Sequence, residues 1–131
     1  MPTNDDQVYT VDEARALLPQ VRSVLVQLAI ERHQADASHA ALHRELGSGA
    51  SGTDAHRTRL EADTGEYRGR VRALLDHLES LGVVVRDLDT GLVDVPTIRD
   101  GERAWLCWRL DDPELAFWHS TREGYGSRQP L

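Results

Sequence analysis

Residues 91–110 read GLVDVPTIRDGERAWLCWRL, and the alternation within them decides the fold. Apolar side chains recur at every second position on both sides of Asp100-Gly101. That dipeptide favours a two-residue hairpin turn, because both residues tolerate positive φ. The spacing predicts two antiparallel strands, Leu92 to Ile98 and Arg103 to Leu110. A two-residue turn also fixes their register, placing Val95 opposite Leu106, Val93 opposite Trp108 and Asp94 opposite Cys107. Pro96 cannot donate to a ladder and marks an edge or a bulge.

On either side the period of two continues. Val83-Val84-Val85 reads as a short strand, with Asp87-Leu88-Asp89-Thr90-Gly91 as the turn after it. Asp111-Asp112-Pro113 reads as another turn, followed by a fourth strand from Glu114 to His119. If apolar residues are kept on one face, Trp108 pairs with Phe117 and Leu106 with His119. That face carries Val93, Val95, Leu106, Trp108, Leu110, Leu115 and Phe117 as core. The opposite face carries Asp94, Trp105, Cys107, Arg109, Glu114 and Trp118. Large aromatics beside an acid and a thiol imply a second buried surface, either a ligand pocket or a subunit interface.

Before Gly82 the period is helical. Thr10-Val11-Asp12-Glu13 matches a capping box, in which the Thr10 hydroxyl and the Glu13 carboxylate each accept from the other residue's backbone N–H. Apolar residues then step by three and four: Val11, Ala14, Leu18, Val21, Leu25, Leu28, Ala35, Leu42 and Leu46. Pro19 falls inside this helix and removes one of its hydrogen bonds, which predicts a kink. A Gly/Ser turn over 47–52 precedes a second helix, capped by Thr53 or Asp54 and striped by Leu60, Tyr67, Val71, Leu74, Leu78 and Leu81. Gly82 is placed to end it in the left-handed conformation. The expected fold is α+β: a long antiparallel helical hairpin (8–82) packed with a four-stranded antiparallel β-meander and a C-terminal tail (83–131), one domain over 1–131. The first helix is long for so small a protein, and a homodimer is expected to cover its outer flank.

Composition excludes several functions. Among 131 residues the net charge is -7, and the 15 basic residues are all Arg. No clustered basic face is present to neutralise phosphates, so nucleic acid is not an expected partner. Without Lys there is neither a Schiff-base nucleophile nor a P-loop lysine. The single cysteine, Cys107, rules out an internal disulfide and fits a reducing cytoplasm. No secretion signal or membrane span is apparent, and a cytoplasmic location is expected.

Several stretches together resemble the bacterial domain of unknown function family 2203: the opening YTVDEARALLP, GLVDVPTIRDG, LCWRL, PELAFWH and GYGSRQP. The resemblance implies no activity. It does imply that Asp94, Cys107, Trp108, Glu114, Trp118, His119, Gly124 and Arg128 are the motif-bearing positions.

The residue types then nominate chemistry. His119, Glu114, Cys107 and Asp94 are candidate metal ligands, for a transition metal first and haem second. In the register above, however, His119 points away from Asp94 and Cys107 unless a bulge or strand end reorients it. Asp94, Trp105, Trp118, Arg109 and Arg128 are candidates for holding a small ligand, with Arg122 and the backbone near Gly124 and Gly126 beside them. The plain alternative makes Cys107 an inert core residue and has Asp94 and Glu114 pair with Arg109 or Arg128. His39 and His43, four apart on the first helix, with His56, Glu45 and Glu61 nearby, form a weaker metal motif. Two functions follow: a β-module that binds a metal or small ligand, as an enzyme or not, or a non-catalytic dimeric interaction module.

Overall fold

The computed structural model describes residues 7–47 and 54–131. It contains helices α1 (Val11–Gly47) and α2 (Asp54–Ser80), followed by strands β1 (Val84–Asp87), β2 (Leu92–Arg99), β3 (Glu102–Trp108), β4 (Phe117–Ser120) and β5 (Gln129–Pro130). The expected 47–52 turn and the Thr53 cap lie largely or wholly outside the described residues. The sheet is antiparallel in the order β1-β2-β3-β4-β5. The tail expected after the fourth strand therefore supplies a fifth.

The chain forms two compact units. One comprises the far part of α1 with the near part of α2, residues 26–75. Leu28 and Ala35 are buried there, and Arg70 donates to Glu31 at 2.9 Å across the two helices. The other unit combines the start of α1, the end of α2 and the whole sheet.

In that second unit the local signals act as their chemistry requires. Thr10 N–H donates to the Glu13 carboxylate at 2.9 Å and Glu13 N–H to the Thr10 hydroxyl at 3.1 Å, which is the capping box. These hydrogen bonds hold the Glu13 carboxyl below its ordinary pKa. Pro19 lies within α1, which continues past it. Gly82, at φ 78°, ends α2: its N–H donates to Glu79 and the Val83 N–H to Leu78. That pair of bonds is a Schellman motif, and it turns the chain directly into β1.

Tyr9 ties three elements together. Its N–H donates to the Pro96 carbonyl at 2.8 Å and its hydroxyl to the Leu81 carbonyl at 2.6 Å. Pro96 accepts there because β1 pairs with β2 only as far as Asp94, which leaves an edge where a missing N–H costs nothing. Two arginines of α1 then reach the connection between β3 and β4. Arg15 donates to the Leu115 carbonyl, and Arg22 donates to the Leu110 carbonyl while lying 5.0 Å over the Trp108 ring. Val21, Leu78, Val93, Val95, Leu106, Trp108 and Leu115 are buried as the apolar core of this unit.

The hairpin register of β2 and β3 is the expected one, and Asp100 (φ 52°) with Gly101 (φ 79°) forms its turn. The pairing of β3 with β4 differs by one residue. Leu106 faces Trp118, Trp105 faces His119 and Cys107 faces Phe117. β4 is also shorter than expected, beginning at Phe117 rather than Glu114. The reason is the length of the connection: residues 109–116 leave the register free, whereas a two-residue turn does not. Asp112 organises this loop by accepting from Arg109 N–H at 3.1 Å and from Arg128 at 2.9 Å.

Gly91 permits the tight return between β1 and β2. It sits at φ 66°, and a Cβ there would come within 2.5 Å of the Leu110 side chain. Gly91→Ala combines left-handed strain with overpacking, and a loss of about 2–4 kcal/mol is expected in urea denaturation. A variant as stable as the parent would contradict this packing.

Candidate metal centre

A slip of one residue turns every side chain of a strand to the other face. On the observed register His119 leaves the core face and joins Asp94 and Cys107. Asp94 comes from the middle of β2, Cys107 from β3 directly opposite it, and His119 from β4. One donor atom from each lies within 4.8 Å of the others, and all three side chains are buried. Among the described residues this is the grouping of histidine, cysteine and carboxylate donors with a geometry that could hold a metal ion.

The hydrogen bonds around the trio are directional. His119 Nδ1 lies 2.8 Å from the Ser120 carbonyl oxygen, which can only accept, so Nδ1 carries a hydrogen. Nε2 is thereby aimed at Asp94 Oδ1, 3.0 Å away. A nitrogen lone pair and a carboxylate oxygen at that distance repel unless a proton or a cation sits between them. The other carboxylate oxygen, Oδ2, accepts from Arg86 Nε at 2.9 Å. On His119 and Asp94 the second polar atom is thus held by a partner on its far side. This is the outer-shell arrangement of metal-ligating histidine and carboxylate side chains.

The Cys107 thiol is the third corner. Burial, reinforced by the nearby Asp94 charge, raises its pKa to about 11, against a smaller lowering by Arg128. A bound divalent cation acts in the opposite direction, since a coordinating thiol loses its proton outright.

The trio opens on one side. Asp94 and His119 form part of a cavity of about 410 Å³ whose other walls include Arg86, Trp105, Arg122 and Tyr125. Arg86 lies 5.1 Å over the Trp105 ring, which orients its guanidinium from a second direction.

The remaining candidates are dispersed. Glu114 is exposed at the mouth of a separate depression with Arg15 and Pro113, and is not part of the trio. Trp118 stands opposite Leu106 on the other face, with Arg99 4.5 Å from its ring centroid. Phe117, expected in the core, takes its place on the site face opposite Cys107, covered by Arg128 at 4.0 Å. Arg109 pairs with Asp111 at 2.6 Å. Arg128 pairs with Asp112, not with Asp94 or Glu114, and together with the Arg109 N–H it holds the Asp112 carboxyl below its ordinary pKa against the opposing effect of burial. On the helices, Arg68 contacts His39 Nδ1 at 3.2 Å, and no metal-competent group forms around His39 and His43 among the described residues.

Arg86 and Tyr125 went unnoticed in the sequence. The apolar run ends at Val85, which predicts a strand that stops there, but β1 continues to Asp87. Arg86 sits where the β1–β2 register shifts between Val85 and Asp87, an irregularity that the alternation of the sequence does not signal.

Of the motif positions, Asp94, Cys107 and His119 meet in this trio, whereas Glu114 and Trp118 lie elsewhere. Residues 7–131 match the model described as "Uncharacterized conserved protein (DUF2203)". The chain belongs to the DUF2203 family. No curated protein and no solved structure matches it. No described helix of this DUF2203 protein is long and apolar enough to cross a membrane.

The thiol provides a pH test. With its pKa at about 11, Cys107 of metal-free folded protein should react slowly with a disulfide reagent at pH 8, with a rate that climbs as pH approaches 11. In urea the same thiol should react at the speed of an ordinary cysteine. Fast reaction of the folded protein at pH 8 would contradict its burial.

Proposed function

We propose that this protein binds one divalent transition metal through Asp94, Cys107 and His119, with a coordination position left open toward the adjoining cavity. The observation that carries the reading is the outward commitment of the second polar atom on two ligands. His119 Nδ1 is held by Ser120 and Asp94 Oδ2 by Arg86, which leaves Nε2 and Oδ1 converging on one point.

Zinc fits this donor set best. Nitrogen, oxygen and thiolate sulfur are its usual ligands, with bonds of about 2.0–2.3 Å in tetrahedral geometry. Such bonds separate ligand atoms by roughly 3.3–3.8 Å. The 3.0 Å His119–Asp94 contact is a few tenths of an ångström short of that range, and all three donor atoms lie within 4.8 Å of one another. Three protein ligands with a fourth position facing a cavity is the pattern of catalytic rather than structural zinc. A metal there would serve as a Lewis acid for a small molecule bound in the cavity. The free thiol accords with a reducing cytoplasm, where we place the protein.

The second reading is a dimeric interaction module. It is favoured by Val26 and Ile30, four residues apart on α1 and 46% and 51% exposed. A second copy covering them would make the protein a homodimer.

Untagged protein purified without chelators should carry about one equivalent of metal by elemental analysis. His119→Ala and Cys107→Ala should lose it while keeping the parent's circular dichroism spectrum. Metal-free parent protein that takes up no added zinc and sediments as a dimer would sink the metal reading and favour the interaction module.

A further inference from the structure

The cavity beside the trio carries more positive charge than its walls can balance once a metal is present. Arg86 uses Nε to bind Asp94 and its face to cover Trp105, and its side chain remains 45% exposed. No hydrogen bond occupies its two terminal nitrogens among the described residues. Arg122 also lines the cavity, and its guanidinium has no ion-pair partner among the described residues. Glu123 is the acidic residue on the rim, and Asp94 is the acid at the base. Arg128, the third cation near the trio, is already matched by Asp112.

The balance changes with the metal. Without it, the Asp94 carboxylate compensates Arg86. A divalent ion bound by an aspartate, a thiolate and a neutral histidine forms a neutral unit. Asp94 is then shared with the metal, and Glu123 alone faces two guanidinium groups. Each arginine offers a planar fork that matches a carboxylate or phosphate group. Because Arg86 holds the far oxygen of a metal ligand, its free nitrogens lie within one small molecule's reach of the open coordination position.

We infer that the cavity takes a small oxyanion-bearing ligand, a carboxylate or a phosphate, which sits at the open position of the metal and is gripped by Arg86 and Arg122. This rests on the metal reading above. The cavity volume of about 410 Å³ is in the range of small-ligand pockets. The Trp105 ring supplies an apolar wall for the remainder of the molecule. Anion and metal binding should reinforce each other, because each supplies charge that the other lacks.

Cobalt(II) reports both events, since its visible bands record the ligands of an open tetrahedral site. Cobalt-loaded parent protein is titrated separately with inorganic phosphate, acetate and imidazole. Phosphate or acetate should change the bands saturably, and the tighter of the two identifies the oxyanion class. Arg122→Gln should bind cobalt as the parent does and respond to imidazole unchanged, but weaken the oxyanion by about tenfold or more. Arg86→Gln should weaken the oxyanion as well. If cobalt binds and neither oxyanion changes the spectrum, or if Arg122→Gln binds them as tightly as the parent, the oxyanion assignment is wrong and the metal centre survives. If cobalt does not bind the parent at all, the metal centre and this assignment fall together.

Discussion

The pairing of Trp105 with His119 is the constraint on which the site depends. β2 and β3 place Asp94 opposite Cys107 through their two-residue turn, whatever β4 does. Those two residues alone are a thiol beside a buried acid that has Arg86 as its charged partner. His119 completes them only because β4 is aligned so that it, and not Trp118, shares their face. One step in either direction would bury Trp118 against Asp94 and send the imidazole into the apolar core.

Several independent interactions hold that alignment. Arg15 fixes the Leu115 carbonyl just before β4, and Leu115 itself is buried. Asp112 ties the preceding loop to Arg109 and to Arg128 of the tail. The tail then pairs with β4, with Pro130 opposite Phe117 and Gln129 opposite Trp118. Leu131 N–H adds a bond to the Ala116 carbonyl at 2.9 Å. Charge-assisted hydrogen bonds of this kind contribute about 1.5–3 kcal/mol each when their partners are partly buried. The C-terminal residues therefore act on the site by clamping the strand that presents His119, and Arg128 also acts directly on the Cys107 thiol.

Much of this was legible in the sequence, for reasons that differ by element. The capping box, the Gly82 stop and the Asp100-Gly101 turn are local chemistry, set by a few consecutive residues, and each forms as its residues dictate. The β2–β3 register followed from turn length. What sequence could not settle was register across the loop of residues 109–116, where closure is flexible and polarity was the only guide. That guide misplaced Phe117, because an aromatic ring is as well covered by the Arg128 guanidinium as by a core. The same error removed His119 from the trio and put Trp118 in its place. Arg86 was missed for a related reason: an arginine after three valines looks like the end of a strand, although here it continues the strand and orients Asp94. Glu114, an acid of the right type, lies outside the site because the strand starts after it.

The family model spans the helices and the sheet alike, while the metal-competent trio draws on three strands only. X-ray absorption on zinc-loaded protein tests the central claim most directly, since it counts the ligands. The account predicts a single sulfur at about 2.3 Å and two or three nitrogen or oxygen neighbours at about 2.0 Å. A zinc shell without sulfur, or one of several sulfurs shared between chains, would contradict it.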